Sequence, residues 1–90
     1  MFFVVAYDIE DDKRRTKIHK LLKNYGQWMQ FSLFECNLTQ EEFIKLEYRL
    51  EKLIDPERDS IRYYFLCEKC QSKVVRIGGI EVRNEDVFIF

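Results

Sequence analysis

The residues best placed to do chemistry lie between positions 4 and 26, VVAYDIEDDKRRTKIHKLLKNYG. An apolar run stops at Asp8, three further acids follow (Glu10, Asp11, Asp12), and then three bases (Lys13, Arg14, Arg15). A carboxylate at a strand end can hold Mg²⁺ or Mn²⁺ through oxygen, with waters completing the shell. Such an ion activates water and neutralises charge on a phosphate in its transition state. Guanidiniums nearby can take phosphate oxygens in bidentate pairs. The same spacing also fits a plainer arrangement, in which Asp8 makes an ion pair or a cap and the bases form a solvated face. Arg14 and Arg15 precede Ile18 by four and three residues, so they extend an apolar helical stripe toward the helix start. That places them toward the sheet rim where the first strand ends, and the stretch is expected to bring Asp8 near both guanidiniums.

Other reactive side chains are sparse. His19 is the only histidine and is read as a surface residue of the helix. No Ser-His-Asp set can be assembled, and neither Gly26 nor the pair Gly78-Gly79 makes a phosphate loop. Cys67-Glu-Lys-Cys70 has C-x-x-C spacing, but a structural zinc site needs four ligands and no second pair follows. Two thiols at a strand end are the better reading.

The elements that must position these residues alternate closely. FFVVAY (2–7) is a continuous apolar run, long enough for a buried strand and too short for a helix. Ile18, Leu21, Leu22 and Tyr25 fall at i, i+3, i+4, i+7 and predict a helix over 13–25, capped by Asp11 or Asp12 and closed by Gly26 in a left-handed position. QWMQFSLFECNL (27–38) is β-rich and reads as one strand or two broken near Ser32. Thr39-Gln40-Glu41-Glu42 has the form of a capping box and opens a second helix to about Ile54, with Phe43, Leu46, Leu50, Leu53 and Ile54 on its stripe. Pro56 stops it. DSIRYYFL (59–66) predicts a further strand, VVRI (74–77) a short one, and VFIF (87–90) a last one.

This order predicts an α+β sandwich of the ferredoxin-like, split βαβ type, with both helices on one face and an extra C-terminal strand. With 90 residues, 47% hydrophobic and 16% aromatic, a single domain over 1–90 is expected. No apolar run approaches the roughly 18 residues of a membrane span, and no secretion signal is visible, so a cytoplasmic protein without membrane contact is expected. Three cysteines argue against a disulfide framework. The net charge of −1 does not by itself argue for nucleic acid, but Lys13, Arg14, Arg15, Lys17, Lys20 and Lys23 concentrate the bases locally. The apolar tail, a strand over about 85–90, suggests a homodimer in which it joins the partner's sheet and protects two edges at once. A strand packed within its own chain is the alternative.

Four blocks in order, AYDIEDDKRRTKI, LLKNYG, QFSLFECNLT and DSIRYYFLC, make the chain resemble the small CRISPR-associated metal-dependent nuclease of the spacer-acquisition pair, the "Cas two" family. The resemblance covers nearly the whole chain. It implies a ferredoxin-like homodimer in which Asp8 of each protomer lies near the two-fold axis, binds one Mg²⁺ or Mn²⁺ and is the catalytic carboxylate. It implies nucleic-acid contacts from the basic residues Arg14, Arg15 and Lys17, with Arg15 on a phosphate. Ser32 and Phe34 would shape the site, with Phe34 packed beneath it. Trp28 stands where some members carry a basic residue, so no phosphate contact is carried over there.

Several functions follow from the resemblance. Members are described as endoribonucleases for single-stranded RNA or as double-stranded DNA nucleases, and the dimer also bridges the CRISPR adaptation integrase as a DNA-holding scaffold. The expected function is thus metal-dependent phosphodiester hydrolysis of RNA or DNA within the spacer-acquisition complex. The alternatives are a non-catalytic scaffold for the integrase, a toxin-type ribonuclease of the same fold, and a ferredoxin-like module for a small ligand.

Overall fold

The computed structural model describes residues 1–78. Four strands and three helices follow in the order β1 (Phe2–Asp8), α1 (Asp12–Lys23), β2 (Gly26–Gln30), β3 (Leu33–Asn37), α2 (Gln40–Leu53), β4 (Ser60–Leu66) and α3 (Glu68–Gln71). The sheet order is β2-β3-β1-β4 with every neighbouring pair antiparallel. Each βαβ unit is therefore split by an antiparallel strand, which is the expected ferredoxin-like α+β arrangement. Among the described residues no helix is long and apolar enough to cross a membrane.

Both long helices form where the pattern predicts, for the expected reasons. Asp11 caps α1 by accepting the Arg14 N–H at 2.9 Å. Thr39 and Glu42 close a reciprocal capping box on α2, at 3.1 Å and 2.9 Å, satisfying two of the N–H groups that a helix start leaves unpaired. Ile18 and Leu22 of α1 and Leu46 and Leu50 of α2 meet Phe3, Val5, Tyr7, Phe34 and Cys36 on one face of the sheet. At one end of this core Phe3, Phe43, Tyr63 and Phe65 form an aromatic cluster, with most pairs edge-to-face at 5.3–5.8 Å between centroids. Burial in this cluster, with Glu47 and Glu51 nearby, pushes the Tyr63 phenol up to about 12.

The aromatic run at 27–38 is two strands. The chain reverses at Phe31, whose φ of 44° lies in the left-handed region, and the Trp28 indole N–H donates to the Phe31 carbonyl at 2.9 Å. Met29 falls at an irregularity in the β2–β3 ladder, where Gln30 takes the position after Trp28.

Three expectations need correcting or limiting. Gly26 does not close α1 in a left-handed turn, because the helix ends at Asn24 and Gly26 is already the first residue of β2. Glycine is required there by close approach, since a Cβ would lie 2.4 Å from the Glu35 carbonyl oxygen and 2.5 Å from Cys36 Sγ. Residues 74–77 are not a strand, and a short helix, α3, precedes them instead. An extended segment becomes a strand only by pairing with an edge, and Val75 and Ile77 are 78% and 93% exposed. The expected strand over about 85–90 lies outside the described residues.

Candidate functional site

The end of β1 carries the candidate site because its two sides do different things. Successive side chains of a strand alternate faces. Phe3, Val5 and Tyr7 therefore enter the helix-side core, whereas Val4, Ala6 and Asp8 face away from the helices. The register sets Glu35 and Leu33 of β3 and Tyr64, Arg62 and Ser60 of β4 on that same face, where Glu35 is buried and Asp8, at its rim, is exposed. Asp8 is exposed, opposite Ser60, and it makes no ion pair or side-chain hydrogen bond among the described residues. The plainer reading of Asp8 as an ion-pair or cap residue is therefore not what these residues build.

On the helix side, Tyr7 anchors a polar cluster at the same strand end. Its N–H donates to the Ser32 carbonyl at 3.1 Å, and the Ser32 side chain lies close enough to its phenol to influence the phenol's titration. The phenol oxygen is also 3.1 Å from His19 Nδ1 and donates there when that nitrogen is unprotonated. Burial raises the phenol above its ordinary range, opposed by the Ser32 hydrogen bond and the positive charge of Arg15. Phe34, fully buried on β3, lies under this cluster, stacked with Tyr7 at 6.4 Å and edge-on to His19 at 5.1 Å. Trp28, the register partner of Phe34 on β2, is also edge-on to His19, at 6.2 Å.

The two arginines go to different places, and neither pairs with Asp8. Arg15 reaches the strand end, where its Nη1 donates to the Ile9 carbonyl at 2.8 Å and its Nη2 pairs with Asp12. Arg14 forks onto Asp59 with Nε–Oδ2 at 2.6 Å and Nη2–Oδ1 at 3.0 Å. The Asp59 side chain is fully buried and also accepts the backbone N–H groups of Glu10 and Asp55, at 3.1 Å and 2.9 Å. Hydrogen bonds from Arg14 first, then from those two backbone groups, hold the Asp59 carboxyl well below the usual carboxylate range. This knot ties the β1–α1 loop, α1 and the α2–β4 loop together. The expected meeting of Asp8 with two guanidiniums fails because helical spacing orients α1 toward the sheet but does not say which face the last side chain of β1 takes.

Of the sequence-derived candidates, Asp8, Arg15, Ser32 and Phe34 converge on the end of β1, on its two sides. Lys17 is exposed on α1 with no ion pair among the described residues. Tyr7, His19 and Asp59 were given no role by the sequence reading. The signal for His19 was present, because Arg15, Ile18, His19 and Leu22 fall at i, i+3, i+4, i+7 and share a helix face. It is half-buried rather than on the surface. Nothing in the residue order distinguished Asp59 as buried.

Among the described residues no group of three or more His, Cys, Asp or Glu could hold a metal ion. Asp8 has the hard oxygen donors that Mg²⁺ or Mn²⁺ prefers, but one carboxylate is only part of a coordination shell. The donor chemistry fits such an ion as a half-site to be completed by a second copy.

Fold and site define a small split-βαβ protein whose first strand ends on a carboxylate unpartnered among the described residues. The model of the CRISPR-associated protein Cas2 family matches residues 1–74, and the chain belongs to that family. It is 47% identical over 86 residues to a protein named CRISPR-associated endoribonuclease Cas2 3 from Chloroflexus aurantiacus, covering 96% of this chain and 91% of that one. A CRISPR-associated endoribonuclease Cas2 from Thermus thermophilus is 41% identical over 78 residues, 87% of this chain and 83% of the other. The crystal structure of Streptococcus pyogenes Cas2 at pH 6.5 superposes with a TM-score of 0.75 at 38% identity, over 87% of this chain and all of that one. A chain of a partial Cas6-RT-Cas1–Cas2 complex superposes with a TM-score of 0.73 at 27% identity, over 96% and 97% of the two chains.

Proposed function

We propose that the chain is a CRISPR-associated endonuclease that acts as a homodimer in the spacer-acquisition complex, with Asp8 of each copy as its catalytic, metal-binding carboxylate. The observation that carries this reading is the exposed carboxylate of Asp8, without an ion pair or side-chain hydrogen bond among the described residues, on the sheet face opposite α1 and α2. The names of the relatives, endoribonucleases, support the reaction class. The structural neighbour in a Cas1–Cas2 complex supports the integrase as partner.

Each side chain then has a task. Paired Asp8 carboxylates from two copies offer oxygen ligands to Mg²⁺ or Mn²⁺, which when bound supplies charge neutralisation and activated water. Arg15, fixed at the Ile9 carbonyl, carries positive charge to the strand end and contacts a phosphate. Arg14 is held by Asp59 and serves the nucleic-acid surface chiefly by fixing the start of α1. Lys17 adds an exposed charge without the geometric fork of an arginine. Ser32 holds Tyr7, and Phe34 forms the floor beneath both. The sheet ends on β2 and β4, each with one neighbour among the described residues, so an edge is open to the 85–90 strand of a partner.

The test compares cleavage of labelled single-stranded RNA and double-stranded DNA, with and without Mg²⁺ or Mn²⁺, by the wild type and Asp8→Asn. Sedimentation checks that both are dimers. Metal-dependent cleavage lost in a folded Asp8→Asn dimer is expected, and undiminished cleavage by that variant overturns the assignment.

A second reading, a non-catalytic DNA-bridging scaffold, is favoured by the lack of any three-ligand group among the described residues and by the Cas1–Cas2 neighbour. It predicts that reversing charge at Lys13, Lys17 and Lys20 weakens DNA binding and flattens its salt dependence, whereas Asp8→Asn binds normally.

A further inference from the structure

β4 leaves the sheet at Leu66 and turns directly into α3, and both thiols of the C-x-x-C pair lie in that turn. Cys67 is the N-cap of α3, and its Sγ accepts the Cys70 backbone N–H at 3.4 Å. Both cysteines are exposed and unbridged. Residues three apart on a helical turn have Cβ atoms about 5–6 Å apart and a disulfide needs them about 3.5–4.5 Å apart, so the turn must tighten by about 1–2 Å, together with side-chain rotation, to join these sulfurs.

The third thiol is an internal contrast. Cys36 is fully buried, and burial together with the neighbouring Glu35 pushes it up to about 12, so it is inert in the folded chain. At Cys67 the Cys70 N–H and then the Cys70 thiol stabilise the thiolate and lower its pKa, while the same partnership raises that of Cys70. The pair thus divides into an attacking and a resolving thiol.

We propose that Cys67 and Cys70 form a reversible dithiol–disulfide site whose co-substrate is a low-molecular-weight disulfide of the glutathione type. The Cys67 thiolate attacks one sulfur of that disulfide, forming a mixed disulfide and expelling a thiolate that takes up a proton. Cys70 gives its proton to water and attacks Cys67 Sγ, closing the internal bridge and releasing the second small thiol. The chain loses two protons and two electrons, and the small disulfide gains them. The bridge pins the first turn of α3 to the end of β4.

The experiment incubates the reduced full chain with mixtures of oxidised and reduced glutathione. The reaction is quenched with acid and alkylated before and after unfolding, and intact mass and peptide maps are read. The expected product is a chain lighter by two hydrogens, with alkylation lost at Cys67 and Cys70 and Cys36 alkylated only after unfolding. Cys70→Ser should stop at a mixed disulfide on Cys67, and Cys67→Ser should be modified more slowly at Cys70. Both substitutions are at exposed positions, and circular dichroism verifies the fold. Separate glutathione adducts on both thiols of the wild type, bridges only between chains, or equal rates in the two variants overturn the proposal. So does protection of the pair by Zn²⁺ at one ion per two chains, which would make it a metal half-site.

Discussion

Replacing Phe34 by Ala tests whether the strand-end cluster rests on a rigid floor. The ring is fully buried and touches Tyr7 and His19 on the helix side of the sheet. An aromatic side chain buries about 150–250 Å². At about 25 cal/mol per Å² this corresponds to roughly 4–6 kcal/mol, and Phe→Ala changes in cores cost about 3–5 kcal/mol once the cavity and the remaining methyl are included. At about 0.05–0.15 kcal/mol per residue, a domain of 90 residues holds roughly 5–13 kcal/mol in all. Phe34→Ala therefore removes roughly a fifth of the stability at the least. For a domain of this size each kcal/mol moves the Tm by about 4–8 °C, so a fall of roughly 12–40 °C is expected. Phe34→Leu retains an apolar side chain over most of the floor and should lose only about 1–2 kcal/mol. Thermal and urea unfolding followed by far-ultraviolet circular dichroism measure both variants, at one protein concentration because any association would add to apparent stability. A loss below about 1 kcal/mol in Phe34→Ala, or equal losses in the two variants, refutes the claim that this ring supports the site.

Three other perturbations follow from the same structure. Asp59→Asn should lower the Tm at neutral pH and flatten the acid arm of stability. The folded-state pKa is depressed, so the stabilisation is present above the ordinary value of 3.8 and is lost as pH falls toward the folded pKa; an unchanged acid arm in thermal melts across pH 2–7 counts against the Arg14–Asp59 knot. Gly26→Ala places a methyl against the Glu35 carbonyl and Cys36 Sγ and should cost about 1–3 kcal/mol in urea unfolding, with a neutral result refuting the close approach. Thr39→Ala removes half of the capping box and should cost about 1 kcal/mol, and a neutral change in the same assay would show that the cap does not stabilise α2.

Features that depend on neighbours along the chain were legible in the sequence. The capping box at Thr39, the stripes of α1 and α2 and the apolar run of β1 each specify their element locally, and the observed bounds lie within two residues of those expected. Features that depend on which surfaces meet were not. Gly26 has the same residue signature whether it ends a helix or lies under a neighbouring carbonyl, and only the β2–β3 register tells the two apart. Asp59 resembles any acid before a strand until Arg14, 45 positions earlier, folds onto it. His19 could have been placed by helical spacing beside Arg15 and Leu22, but its Tyr7 partner comes from another element. Of the candidate site, convergence on the end of β1 was readable. The division between its two faces was not, because a strand's alternation says which residues share a side but not which side the helices will cover.

That alternation has a consequence for how such a protein can change. Val5 and Tyr7 are committed to packing under the helices, while Val4, Ala6 and Asp8 stand on the opposite surface. Seven consecutive residues thus carry two nearly independent inheritances, one for packing under the helices and one for what the opposite face meets. A lineage can revise the second at alternate positions while the first is left intact, so new contacts can be tried by single substitutions without first securing extra stability.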